Sequence, residues 1–305
     1  MAPAISDRSK DEYDFLVGNC PEGLNVVASE GPPSAWKNTL SHLSLKQDVE
    51  QFGLAGKIWH AAYILQSYFY PDTRVDPKSP IPAQYFRNDP SPVPTQPFRI
   101  LELGAGTGYV GIWLANMLRQ PCEMIITDLE PVLPLIRDNV TQHYQHIVDD
   151  NSATVRVERL HWGNTSDASA ILKEGPIDLI LISDCVYFPE LFDILTQSLI
   201  EICSPTTKIV IGYKCRSLEK ESGFWQDYFG RYFDYEPVRK LEFKQDEDDD
   251  DSGDDGEKKL IPGGLLGEEE QVFVFVGQRR ADGQIKAADD TFTTLMFCNM
   301  MIDFD

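Results

Sequence analysis

Three glycines at alternate positions, Gly104, Gly106 and Gly108, follow the apolar run FRILEL (98–103) and lead into an amphipathic stretch beginning at Tyr109. Glycine allows a tight turn and lets backbone approach a ligand with no Cβ in the way. The helix expected after it adds free N–H groups. Gly106, Gly108 and Gly111 also satisfy G-x-G-x-x-G, a spacing that on its own serves dinucleotides equally well. Glu102 extends the motif to E-x-G-x-G-x-G, placing an acidic group where it can face the cationic end of S-adenosylmethionine. Asp128 ends the next apolar run, where an acid can accept hydrogen bonds from ribose hydroxyls, and Leu129 beside it joins the cofactor-binding set. An acid there suits NAD as well, and it can also be a plain polar residue at a strand end.

A second cluster is Ser183-Asp184-Cys185-Val186-Tyr187, directly after IDLILIS (177–183). Ligands of open α/β sheets bind at the carboxyl ends of strands, and an unpaired carboxylate beside an apolar run is costly. Asp184 and Tyr187 are therefore the candidate catalytic residues, with Ser183 on the cofactor side. The other use for Asp184 is to cap the helix expected near Pro189. Trp162, in LHWGN, and Trp59, in KIWH, can each stack on adenine or fill core under a loop. The five histidines have no carboxylate or cysteine partners at ligand spacing, so no metal is expected. Neither G-x-S-x-G nor a P-loop occurs.

Positioning these residues requires a layered fold. Beta-rich runs at 98–103, 124–127, 155–160, 177–183 and 208–213 alternate with helical patterns such as 109–119 and 189–203. That alternation with near-continuous apolar strands predicts a Rossmann-like, seven-stranded, mostly parallel sheet with helices on both faces. PVRKLEF (237–243) and QVFVFVG (271–277), with no helix between them, are expected to pair as an antiparallel edge hairpin. Residues 56–70 read as a helix, and LNVVA (24–28) and Tyr13–Val17 as short strands. Residues 71–97 hold eight prolines and read as a long irregular loop. The tract 246–257 has nine carboxylates in twelve residues and is expected to be disordered. The tail after Arg280 has an apolar end that no pattern places. Three segments follow: an extension (1–55), the main domain (56–280) and a tail (281–305).

Lys plus Arg total 27 against 49 Asp plus Glu, a net charge of −22, which argues against gripping nucleic acid by its phosphates or docking on anionic membrane. None of the six cysteines forms a C-x-x-C pair, and a reducing compartment is the simplest setting. With no signal-like stretch at the N-terminus, the cytosol, with or without the nucleus, is the expected location.

In order, Trp59, ELGAGTG, Asp128, LHWGN and Asp184-Cys-Val-Tyr187 resemble the family 16 methyltransferases over about residues 50–280. The resemblance implies a class I methyltransferase domain that uses S-adenosylmethionine to methylate lysine on a protein; a monomer is expected. Fungal members related to the elongation-factor lysine methyltransferases are the nearest in pattern. It further implies that the W-x-A-A helix start and the L-x-W-G turn line the cofactor, and that D-x-x-Y marks the substrate side. The absence of N-P-P-Y argues against methylation of adenine or glutamine amines. On this reading Asp184 captures and aligns the incoming lysine. The rival expectations are a small-molecule methyltransferase and a non-catalytic acidic interaction protein that keeps the nucleotide-binding fold.

Overall fold

The structure is a computed structural model that describes residues 26–34, 36, 43–144, 152–243 and 260–300. Ten strands are described: β1 Val75–Asp76, β2 Phe98–Leu103, β3 Cys122–Asp128, β4 Thr154–Arg159, β5 Leu179–Ser183, β6 Lys208–Lys214, β7 Phe233–Pro237, β8 Arg239–Phe243, β9 Leu260–Leu265 and β10 Val272–Arg279. Seven of them form one sheet in the order β4-β3-β2-β5-β6-β10-β7. β2 through β6 run parallel, and β10 is antiparallel to both its neighbours. The strand order reverses between β2 and β5, so the glycine turn leaving β2 and the Asp184 turn leaving β5 open at one crevice.

Both faces are covered, which is why the central strands carry apolar residues on both sides. On one face, after the four-residue α1 (Val49–Phe52), pack α2 (His60–Phe69), α3 (Tyr109–Met117) and α4 (Leu133–His143), burying Leu65, Ile112 and Ile136 over Ile100 and Leu181. On the other lie α5 (Thr165–Leu172), α6 (Phe192–Ile202) and α7 (Leu218–Gly223), the last continued by a π turn over Phe224–Phe229. That face holds an aromatic cluster of Tyr213, Phe224, Trp225, Phe229 and Phe275, all fully buried. No helix among the described residues is long and apolar enough to cross a membrane.

Two expectations need correction, and two segments gain a place in the fold. Only the start of 237–243 meets β10: the edge partner of β10 is β7, which ends at Pro237, and the chain leaves the sheet after Val238, whose N–H still donates to Val274 at 2.8 Å. β8 then joins β1 and β9 in a separate three-stranded sheet. Pro237, lacking an N–H, stands where the chain departs. The proline-rich segment is irregular yet packed, with Val75, Ile81, Tyr85 and Phe86 buried. The described part of the tail contains a helix, α9 (Thr291–Met300; the three-residue α8 is Gly230–Tyr232), whose Phe292 and Met296 are fully buried against the aromatic cluster. Phe292 stacks on Trp225 at 4.9 Å, which makes the tail part of the domain. Finally, the described part of LNVVA (26–28) forms no strand. Tyr13–Val17 and the acidic tract 246–257 lie outside the described residues.

Candidate active site

The crevice holds a cavity of ≈ 470 Å³, within the size range of small-ligand sites. Its floor is the glycine turn. Gly104, Gly106 and Gly108 have φ of +62°, +56° and +78°, values that side chains other than glycine rarely adopt. A Cβ on Gly104 would lie 2.8 Å from Cys185 Sγ, and one on Gly106 would lie 2.9 Å from the Ala55 carbonyl oxygen. Gly108 does not line the cavity; it starts α3, and a Cβ there would crowd Ile136.

Two carboxylates organise this turn. Asp128, at the end of β3, accepts the Gly106 N–H on Oδ2 and the Leu129 N–H on Oδ1, each at 2.7 Å. Each oxygen keeps a lone pair for a ligand hydroxyl. Burial pushes its pKa up to about 6, against the opposing pull of those two N–H donors. Glu102 accepts the Gly111 N–H at 3.0 Å and so ties α3 to β2. A Cβ at Gly111 would meet that carboxylate at 2.4 Å. Burial raises the Glu102 pKa to about 8, with Asp128 adding to the effect and the Gly111 N–H opposing it. A carboxyl this buried ionises readily only when a cation arrives.

Both tryptophans line the cavity. Trp162 is set by the turn around it: Gly163 takes φ +77° and donates to Ser198 Oγ at 2.7 Å, while Asn164 caps α5 through the Ser166 and Asp167 N–H groups. Trp59 precedes α2 and donates from Nε1 to the Leu54 carbonyl at 3.0 Å. Two cations approach its ring, Lys57 Nζ at 4.9 Å and the Arg216 guanidinium at 5.2 Å from its centre. Leu129 and Ser183 complete the set brought to the cavity.

The cavity wall beyond β5 and β6 carries Asp184, Tyr187 and a residue that sequence reading missed, Arg216. Asp184 takes φ +60°, a left-handed conformation that Asp tolerates better than most side chains, and donates its N–H to Gly212 at 2.8 Å. Its carboxylate is not open. Arg216 Nη1 donates to Oδ1 at 2.7 Å and Nη2 to Oδ2 at 2.5 Å, a bidentate pair in which the Asp184 side chain is 1 % and the Arg216 side chain 22 % exposed. The expected role as a vacant anchor for lysine therefore does not fit the structure. Helix capping does not fit either, because the turn at Pro189 has no side-chain cap. Arg216 is held in turn by Glu221, which accepts the Arg216 N–H at 3.2 Å and the Tyr213 hydroxyl at 2.6 Å. The Tyr187 hydroxyl makes no hydrogen bond among the described residues. Burial first, then nearby acidic groups, raises its pKa, so it stays protonated at neutral pH.

Comparison with known proteins shows the family. Residues 37–228 match the lysine methyltransferase family, well over half of the chain. The chain belongs to that family. Protein N-lysine methyltransferase METTL21A of Danio rerio is 31 % identical over 206 residues, covering 68 % of this chain and 79 % of its own length. Protein-lysine N-methyltransferase EFM6 of Saccharomyces cerevisiae is 28 % identical over 191 residues, covering 58 % and 70 %. EEF1A lysine methyltransferase 3 of Xenopus tropicalis is 30 % identical over 188 residues, covering 62 % and 70 %.

The cofactor of this methyltransferase is S-adenosylmethionine. The cavity suits it chemically: a side-chain-free floor, two aromatic faces for a purine, Asp128 for hydroxyls and a buried Glu102 for positive charge. Leu54 and Ala55, placed by sequence in the N-terminal extension, wall the same cavity, so the domain begins before residue 56.

Proposed function

We propose that this methyltransferase acts on the side-chain amine of a lysine in a protein substrate, with elongation factor 1A the first substrate class to test. The observation that carries the reading is one cavity lined both by a glycine floor between carboxylates and by Tyr187 with the Asp184–Arg216 pair. The named activity of the Xenopus relative supports the choice of elongation factor. We place the protein in the cytosol as a monomer that does not engage nucleic acid; its −22 charge supports the last point.

When bound, S-adenosylmethionine supplies a methyl group on a positively charged sulfur, which departs with the bonding pair as the lysine nitrogen attacks. The nitrogen must arrive neutral, and neutralising a free lysine at pH 7 costs roughly 4–5 kcal/mol. An open carboxylate would raise that cost by favouring the ammonium. Arg216 removes the conflict by engaging both oxygens of Asp184. The pair then serves as a rigid wall, and the Tyr187 hydroxyl accepts an amine N–H and so directs the nitrogen lone pair. Held this way, the amine gains from orientation rather than from added charge.

The test is incubation with methyl-labelled cofactor, purified elongation factor 1A and a whole-cell extract. Label in the protein fraction is the expected result. Label confined to small molecules would overturn the proposal in favour of a small-molecule methyltransferase.

A further inference from the structure

Residues 46–59 cross the cavity as a strap, and we infer that Asn139 is a positioning residue that latches this strap to the glycine turn and so governs cofactor exchange. The inference rests on the cavity being the cofactor site. The strap is a closed unit: the Asp48 N–H donates to the Gly56 carbonyl at 3.0 Å, and Gln47 Oε1 accepts the Ile58 N–H at 3.0 Å. Trp59 is tied to it through the Leu54 carbonyl at 3.0 Å. Its cavity-facing residues, among them Leu54, Ala55, Lys57 and Trp59, form one continuous wall. At its closest approach the Ala55 carbonyl lies over Gly106, where no Cβ would fit. A ligand between strap and glycine turn can leave freely only if the strap lifts.

The strap buries Phe52, Leu54 and Ile58 and is tied to Ser29 through Gln47, but a single side chain joins it by hydrogen bonds to the glycine turn. Asn139, on α4, is fully buried. Its Oδ1 accepts the Lys46 N–H at 2.9 Å, and its Nδ2 donates to the Lys46 carbonyl at 3.1 Å and to the Thr107 carbonyl at 3.0 Å. One amide thus joins helix, strap and glycine turn. The neighbouring Lys46–Asp138 pair at 3.4 Å is exposed and adds little. Without the amide, the Lys46 backbone groups are left unpaired next to the core, which is costly. They recover partners most cheaply by moving out to water. The strap then opens as a unit, because the hydrogen bonds that close it do not involve Asn139.

The experiment compares wild type with Asn139→Ala and Gln47→Ala in the full chain. Calorimetry with S-adenosylhomocysteine gives affinity, tryptophan fluorescence in stopped flow gives the release rate, and steady-state assays separate KM from kcat. Both variants are expected to release the ligand at least tenfold faster and to raise KM for the cofactor about tenfold, with kcat falling less than threefold. Gln47→Ala loosens the strap by a separate route, removing that side chain's bonds to Ile58 and to Ser29, so it keeps the test decisive if Asn139→Ala does not fold. Unchanged affinity and release rate in folded variants would overturn the latch, as would a fall in kcat with no change in KM. Failure of the wild type to bind S-adenosylhomocysteine would instead overturn the cofactor reading of the cavity.

Discussion

The cofactor-side and acceptor-side linings of the cavity are built in different ways. The cofactor side is largely backbone, a turn between Glu102 and Gly111 whose three glycines take positive φ and whose N–H groups are held by carboxylates. The acceptor side is side-chain chemistry gathered from separate stretches: Asp184 and Tyr187 after β5, Arg216 after β6, and the α9 helix behind Tyr213. A backbone-built lining fails when its conformation is blocked. A side-chain-built lining fails when its charge balance is broken, and it should do so without disturbing the other.

The largest expected effect is on the cofactor side. Gly106→Val needs φ near +56° and puts a branched Cβ against the Ala55 carbonyl. Binding of S-adenosylmethionine should weaken at least ~100-fold, the scale on which small misplacements within a site are felt. Calorimetry checks this, and near-normal affinity would break the claim that the floor is backbone in contact with ligand.

Asp184→Ala should do the reverse. Turnover should fall about 100-fold with cofactor affinity within a few fold. Removing one partner of a largely buried pair should also cost about 2–4 kcal/mol of stability. Adding Arg216→Met to that variant sharpens the comparison. The double variant should regain most of the stability but little turnover, because the stray charge is gone while the wall is still missing. Recovery of turnover along with stability would show that the pair is only structural.

Phe292→Ala empties a fully buried site under Trp225 and Tyr213. A loss of about 3–4 kcal/mol in denaturant unfolding is expected, with cofactor affinity of the folded protein unaffected. A loss under about 1 kcal/mol would mean that the tail is not part of the core.

The smallest effect is in pH dependence. Glu102 is raised to about 8 and Asp128 to about 6 by burial, so the folded protein without ligand holds their protons longer than the unfolded chain. The corresponding stability is full below the ordinary carboxylate pKa of about 4.3 and is lost as pH rises through about 6 and then about 8. A cationic ligand favours the ionised forms, so its binding should tighten as pH rises through that window and release protons. Titrations in buffers of differing ionisation enthalpy measure the release. Glu102→Gln should remove the upper part of it.

Legibility in the sequence follows the same divide. FRILEL, the glycines and the start of the next helix read correctly because strand, turn and helix are contiguous and each rests on local conformation. Glu102 was visible, but its bond to Gly111 was not, since it depends on how α3 packs on β2. Arg216 had a usable signal, a cation just past the carboxyl end of β6, the edge where ligands bind. Its pairing with Asp184 is a contact across 32 positions that no spacing rule supplies. The partner of β10 was misread because β8 is as apolar and alternating as β7, and only the tertiary break at Pro237 decides between them. The tail helix was hidden because its few buried side chains face an aromatic cluster assembled from distant strands and helices.

The central claim is that this cavity delivers a methyl group to a lysine amine of a protein. Its most direct test is amino-acid analysis of elongation factor 1A after incubation with methyl-labelled S-adenosylmethionine and the wild-type chain. Label recovered in Nε-methylated lysine, and absent when Asp184→Ala replaces the wild type, is the predicted result. Label in any other residue, or none despite cofactor binding, would contradict it.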